Sequence, residues 1–267
     1  MPVRIGVLKE TSAHEARVAL TPDVAAKFIE AGATLVVQRG AGERSHFGDD
    51  AFKGATFATG VADALGAANV LLKVQPPTAE EIDALAPGAV VVGFMQAHRE
   101  LDMVRHLRDK RITSFAVEFI PRISRAQSMD ALSSQAAVAG YKGALLAANA
   151  LDKFLPMLTT AAGTIRPAQV LVIGAGVAGL QAIATSRRLG AIVEGYDVRS
   201  ATKEQIQSLG AKFVDTGVAA EGAGGYAREL TAEEKAKQQA VLDSHIAKAD
   251  AVITTAAIPG RAAPRII

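Results

Sequence analysis

Apolar residues fall in short runs separated by helix-forming stretches, and the alternation holds through the first 120 residues. Val3-Arg-Ile-Gly-Val-Leu8, Thr34-Leu-Val-Val37, Val70-Leu-Leu-Lys-Val74, Val90-Val-Val-Gly-Phe94 and Ile112 to Val117 have the length and β-branched content of buried strands. Thr21-Pro22-Asp23 opens a helix, with Thr21 as N-cap and Pro22 at the first helical position, and this helix ends near Ala31-Gly32. Thr78 caps a short helix whose Glu80, Glu81 and Asp83 suit its electropositive start. Glu100 to Lys110 forms a third helix. Repeated strand–helix units predict a mostly parallel sheet with helices on both faces.

The polar stretch Pro121-Arg-Ile-Ser-Arg-Ala-Gln-Ser-Met-Asp130 interrupts this pattern. Met129 to about Phe154 then reads as one long Ala-rich helix, with Leu132, Ala136, Ala139, Gly143, Leu146 and Leu151 on a packed face, placed to join two domains. Beyond Pro156 and Pro167, strands begin at Val170, Ile192, Lys212 and Ala251. Glu221-Gly-Ala-Gly-Gly-Tyr226 is a glycine-rich stretch, and Thr231-Ala-Glu-Glu234 matches a capping box opening a charged helix that runs to Lys248. The expected fold class is α/β, with two doubly wound parallel-sheet domains. Residues 1–125 form an N-terminal domain, 126–160 a connecting loop and long helix, and 161–267 a second domain. A full doubly wound sheet has about six strands. The second domain shows four, so it is expected to be C-terminally incomplete, as a fragment or as a sheet completed from elsewhere.

Composition narrows the chemistry. A chain of 267 residues with a net charge of +2 and no basic run gives no reason to invoke nucleic acid. The absence of cysteine excludes disulfides, thiolate catalysis and Cys-ligated zinc. No spacing among His14, His46, His106 and His245 suggests a metal site, and these are expected on the surface. The N-terminus lacks a signal-peptide pattern. Pro167 to Ser186 carries no charge over 20 residues, long enough to cross a bilayer, but a strand, turn and helix account for it better.

That same stretch holds the most specific chemistry. The apolar run Val170-Leu-Val-Ile173 leads into Gly174-Ala-Gly176-Val-Ala-Gly179, then into a helix from Leu180 to Leu189. A second strand, Ala191-Ile-Val-Glu-Gly-Tyr196, ends at Asp197, 18 residues after the last glycine. This matches the Rossmann fingerprint of a dinucleotide site, with a glycine-rich packing turn as the alternative. Gly174 permits the tight turn, Gly176 lets a pyrophosphate approach the backbone, and Gly179 lets helix and sheet pack closely. Val177 and Ala178 lie within the turn, where the helix N-terminus offers amides to the phosphates. Asp197 can accept bonds from ribose hydroxyls and would repel a 2′-phosphate, which favours NAD over NADP. Arg199 weakens that preference, since it could pair with a phosphate; its alternative role is a solvated surface charge.

Wider stretches resemble one family. They are Pro121-Arg-Ile-Ser-Arg-Ala-Gln-Ser-Met-Asp130, Leu132-Ser-Ser134, Ala139-Gly-Tyr141, Thr160-Ala-Ala-Gly163, Gly174-Ala-Gly-Val-Ala-Gly-Leu-Gln-Ala182, Thr202-Lys-Glu-Gln205 and Gly225-Tyr-Ala227. Together they resemble the NAD(H)-binding component (domain I) of proton-translocating nicotinamide nucleotide transhydrogenase. Val7-Leu-Lys-Glu10, Arg17-Val-Ala-Leu-Thr-Pro22 and Lys73-Val74 also fit, and are shared with the related alanine dehydrogenases. The resemblance implies a dimer that binds NAD(H) outside the membrane, on the cytoplasmic side, peripheral to the inner membrane through its partners. It implies docking onto an NADP(H)-binding component, direct hydride transfer between the nicotinamides, and a membrane component that couples transfer to proton translocation. By the same resemblance Arg122, Gln127 and Asp130 lie beside the nicotinamide with Ser133 close by. Asp197, Val198 and Arg199 surround the adenosine ribose, and Tyr226 belongs to a mobile loop closing over the nucleotide. Hydride transfer needs two rings held close and water excluded, not a general acid or base, and a polar loop suits that task.

Two rival readings stay open. An alanine dehydrogenase-like enzyme would use Arg17 and Lys73 on a substrate carboxylate and a histidine for proton transfer. Where that histidine belongs, this chain reads Gly93-Phe94-Met95-Gln96, and His98 lies further along. The alternative for Lys73 is a snorkelling or salt-bridged lysine. The second rival is a non-enzymatic NAD-binding or scaffold chain.

Overall fold

A computed structural model describes residues 2–121, 123–218, 220, 228, 230–256, 263 and 266–267. Arg122 and Tyr226 therefore lie outside the described residues. The chain divides into two units, Met1–Ala131 and Leu132–Ile267.

The first unit carries six strands: β1 (Arg4–Val7), β2 (Thr34–Gln38), β3 (Thr56–Ala58), β4 (Val70–Leu72), β5 (Val90–Gly93) and β6 (Thr113–Ala116). They form one parallel sheet in the order β3-β2-β1-β4-β5-β6. The order reverses between β1 and β4, where doubly wound sheets open a crevice. Helices α1 (Pro22–Glu30), α2 (Val61–Leu65), α3 (Ala79–Ala84) and α4 (Leu101–Asp109) cover it. Alternation along the strands builds a core on each face. Ile5, Val7, Leu35 and Val37 pack with Ala25 of α1, while Val36, Leu71 and Val91 pack with Leu65 of α2, Ile82 of α3 and Leu107 of α4. Gly6 makes room for this second layer, since a Cβ there would stand 2.8 Å from Leu65. As expected from sequence, Pro22 opens α1, and Thr78 and Glu81 form a capping box on α3. The sequence pattern missed β3 and α2, which are only three and five residues long. The polar interruption folds into a short 3₁₀ helix over Ser124–Met129, anchored by buried Ala126.

The second unit begins with the long helix α5 (Ala131–Ala150) and an antiparallel hairpin of β7 (Leu158–Thr160) and β8 (Gly163–Ile165). Its main strands are β9 (Gln169–Ile173), β10 (Ile192–Tyr196), β11 (Lys212–Phe213) and β12 (Ala251–Thr254). They lie parallel in the order β11-β10-β9-β12, which repeats the β3-β2-β1-β4 part of the first sheet. The remaining helices are α6 (Val177–Arg188), α7 (Thr202–Ser208) and α8 (Ala232–Ile246). Val170, Val172 and Val193 pack with Ile183 of α6, Ile206 of α7 and Ala144 of α5. Leu171, Ile173, Tyr196 and Val214 pack with Leu242 of α8 on the other face. The α5 helix thus belongs to this unit's core. A Cβ on its Gly140 would come within 2.0 Å of the Ala178 carbonyl oxygen, so α5 lies directly against the start of α6. The helix stops at Ala150, a turn before the sequence pattern suggests. The chain then places Lys153 on Asp250, whose carboxylate also accepts a bond from the Gln169 N–H at the start of β9. Pro167 to Ser186 is strand, turn and helix, and no helix among the described residues is long and apolar enough to cross a membrane.

Candidate functional site

The glycine turn sits at the carboxyl end of β9, beside the point where strand order reverses toward β12. Gly174 has φ +95°, which only glycine adopts without strain, and its N–H donates to the Tyr196 carbonyl at 2.7 Å. A Cβ there would also meet Ala256 N at 2.7 Å. Gly179 is the closest packing point: a Cβ would stand 1.7 Å from the Gly174 carbonyl oxygen. Gly176 is different. It is exposed, and a Cβ on it would meet nothing within 4 Å. It is also the N-cap of α6, and no side chain among the described residues caps that helix end. Val177 is exposed and Ala178 half-buried beside it. Open space over the backbone, uncapped first-turn amides and the helix dipole together suit a pyrophosphate.

Asp197, at the end of β10, is buried and clasps this turn. Its Oδ2 accepts from Ala175 N–H at 2.7 Å and from Arg199 Nη2 at 2.7 Å. Its Oδ1 accepts from Arg199 N–H at 2.9 Å and Arg199 Nε at 2.8 Å. Burial opposes ionisation of this carboxyl, but the Arg199 guanidinium and the two backbone donors outweigh it and hold its pKa below the usual aspartate range. Arg199 is therefore an ion-pair partner rather than a solvated charge. Val198 is half-buried and its carbonyl accepts from Ala220 N–H at 2.8 Å.

Thr255 escaped the sequence reading. Its hydroxyl donates to the Gly174 carbonyl at 2.7 Å and its N–H to the Ile173 carbonyl at 2.8 Å, fastening the turn to the end of β12. The available signal was its position just after the fourth strand, at the carboxyl end where such sheets place ligands. Of the polar loop, Gln127 is exposed on the 3₁₀ helix, and its carbonyl accepts from Asp130 N–H at 3.2 Å. Ser133 lies half-buried in the first turn of α5.

Near the carboxyl ends of β1 and β4 the first unit buries a group of its own charges. Lys73, just past β4, lies 3.2 Å from Glu10 Oε2 and 2.9 Å from Glu81 Oε1, with all three side chains at most 4% exposed. Glu10 also accepts from Val74 N–H at 2.6 Å, and Glu81 from Thr78 N–H at 2.8 Å. Arg17 is held by Glu15 at 2.6 Å, and hydrogen bonding to that guanidinium pulls the Glu15 carboxyl down to about 2. At the end of β5, Glu118 accepts from Met95 and Gln96 N–H, and His98 is exposed. Lys73 is thus a buried, salt-bridged lysine and not a snorkelling one.

Models of the alanine dehydrogenase/PNT N-terminal and C-terminal domains match residues 6–139 and 143–267. The chain belongs to the alanine dehydrogenase/PNT family. An NAD(P) transhydrogenase alpha-subunit chain of Rhodospirillum rubrum is 46% identical over 99% of this chain and 72% of its own length. The crystal structure of transhydrogenase from Sinorhizobium meliloti superposes with a TM-score of 0.88 at 46% identity, covering 99% of this chain and 72% of that one. Alanine dehydrogenase of Halomonas elongata is more distant, at 30% identity over 99% of this chain and 67% of its own length. Among these relatives the chain is thus most similar to the transhydrogenases, and both parallel α/β sheets expected from the sequence are found.

Proposed function

We propose that this chain is the NAD(H)-binding component of a proton-translocating transhydrogenase. It works as a homodimer on the cytoplasmic face, held at the membrane by its partners. An NADP(H)-binding component docks on it, and a membrane component couples the redox step to proton movement. The observation that carries the reading is the open, uncapped turn at Gly176 clasped by Asp197, in a family member whose nearer relatives are transhydrogenase subunits. Gly176, Val177 and Ala178 would receive the pyrophosphate, Gly174 and Gly179 shape the turn, and Asp197, Val198 and Arg199 would line the adenosine ribose. Arg122, Gln127, Asp130 and Ser133 would orient the nicotinamide, and Tyr226 would close over the nucleotide. Bound NADH supplies a hydride, so no side chain has to gain or lose a proton. The task of the chain is to hold one ring in line with the other and to exclude water. The dehydrogenase alternative needs Lys73 and Arg17 for a substrate carboxylate, and both are already bound to glutamates.

Mixing the protein with NADH and an oxidised NADP analogue tests this. Hydride exchange is expected only when an NADP-binding partner is added; alanine-dependent NADH formation by the chain alone would instead favour the dehydrogenase. In the same assay Gln127→Asn is expected to slow hydride transfer about ten- to a hundredfold while NADH affinity stays within about twofold. Equal, large losses in rate and affinity would make Gln127 a cofactor anchor instead.

A further inference from the structure

We infer that the Arg199 side chain is an internal competitor for the cofactor ribose, and so sets both the affinity and the NAD-over-NADP selectivity of the second unit. This rests on the proposal above that the glycine turn binds NAD(H). A carboxylate offers about four acceptor positions, and on Asp197 all four are taken. Two donors, the Ala175 and Arg199 backbone amides, belong to the turn and the strand end and cannot leave without unfolding them. The other two, Arg199 Nε and Nη2, sit on a flexible arm. A ribose diol needs two acceptors, and the only pair that can be released is the pair held by the guanidinium. Binding is therefore an exchange: the guanidinium swings off the carboxylate and the two hydroxyls take its place.

The ion pair has a second consequence. With Arg199 beside it, Asp197 presents little net charge to an incoming 2′-phosphate, and the displaced guanidinium can pair with that phosphate bidentately. The acid alone would exclude NADP strongly; the acid with its arginine excludes it weakly. Removing the arginine should sharpen selectivity while freeing acceptors for NADH.

The test is titration of the purified protein with NADH and with NADPH, followed by nicotinamide fluorescence, for the parent, Arg199→Met and Arg199→Lys. Arg199→Met is expected to bind NADH about three- to tenfold more tightly. It should also raise the ratio of the NADPH to the NADH dissociation constant by about tenfold or more. Arg199→Lys, whose ammonium can hold a carboxylate oxygen without the bidentate fork, should fall between the two. Unchanged or weaker NADH binding by both variants, with unfolding midpoints like the parent's, would overturn the inference and leave the NAD-binding reading standing. A parent protein that binds neither nucleotide would overturn both. Should Arg199→Met fail to fold, Arg199→Lys alone decides: NADH binding no tighter than the parent's refutes the competition.

Discussion

Gly179→Ala is expected to lower the stability of the second unit by about 3 kcal/mol or more and to abolish NADH binding. The added Cβ would lie 1.7 Å from the Gly174 carbonyl oxygen and 2.8 Å from its carbon, which are backbone atoms that no rotamer change can move. That carbonyl is also fixed by the Thr255 hydroxyl. Relief requires α6 to lift from β9, which would open the packing of Ala182 and Ile183 on the sheet. Gly176→Ala is the control. Its φ is −78° and its Cβ would meet open space, so stability should fall by less than about 1 kcal/mol, the cost of an alanine at an N-cap. The methyl group would nevertheless occupy the space left for the pyrophosphate, and NADH binding should weaken about tenfold or more. Denaturant unfolding and NADH titration of both variants check this. A Gly179→Ala protein within about 1 kcal/mol of the parent would contradict the packing argument.

Lys73→Met is expected to destabilise the first unit by roughly 3–5 kcal/mol, because it strands two buried carboxylates without their shared cation. The ammonium is the only group in the triad that carries positive charge, and each glutamate oxygen is otherwise bonded to backbone amides or to Lys73 itself. Adding Glu10→Gln and Glu81→Gln should restore a large part of the loss, since uncharged amides keep the acceptor oxygens that cap Val74 and Thr78. Thermal unfolding of the single and triple variants measures both effects. If Lys73 instead served a substrate carboxylate, Lys73→Met would keep the parent's stability and lose only activity, and the triple variant would rescue nothing.

These two predictions rest on different degrees of legibility in the sequence. The glycine turn was readable because each glycine answers a separate steric demand, and the structure gives each its own: positive φ at Gly174, open space at Gly176, helix contact at Gly179. Most strands were readable because their buried centres are short apolar runs, as in Val70–Leu72, Val90–Gly93 and Gln169–Ile173. β3 and α2 were not, since Thr56–Ala58 and Val61–Leu65 are too short to show a period. Charge pairing was harder to see. Lys73 interrupts an apolar strand run, which signals a buried partner but not which one. Glu10 reaches it only because β1 and β4 are neighbours in the sheet, and Glu81 because α3 folds back beside the end of β4, neither of which the sequence specifies. The Asp197–Arg199 pair was hidden for the opposite reason: residues two apart face each other only because the chain turns after β10. Thr255 was legible only as a residue just after the fourth strand, because its role depends on β12 lying beside β9.

A crystal structure of the protein with NADH bound tests the central claim most directly. The account predicts the pyrophosphate over Gly176 at the amides of Val177 and Ala178, with the adenosine ribose on Asp197. NADH lodged instead at the Lys73 end of the first unit's sheet, with the glycine turn empty, would contradict it.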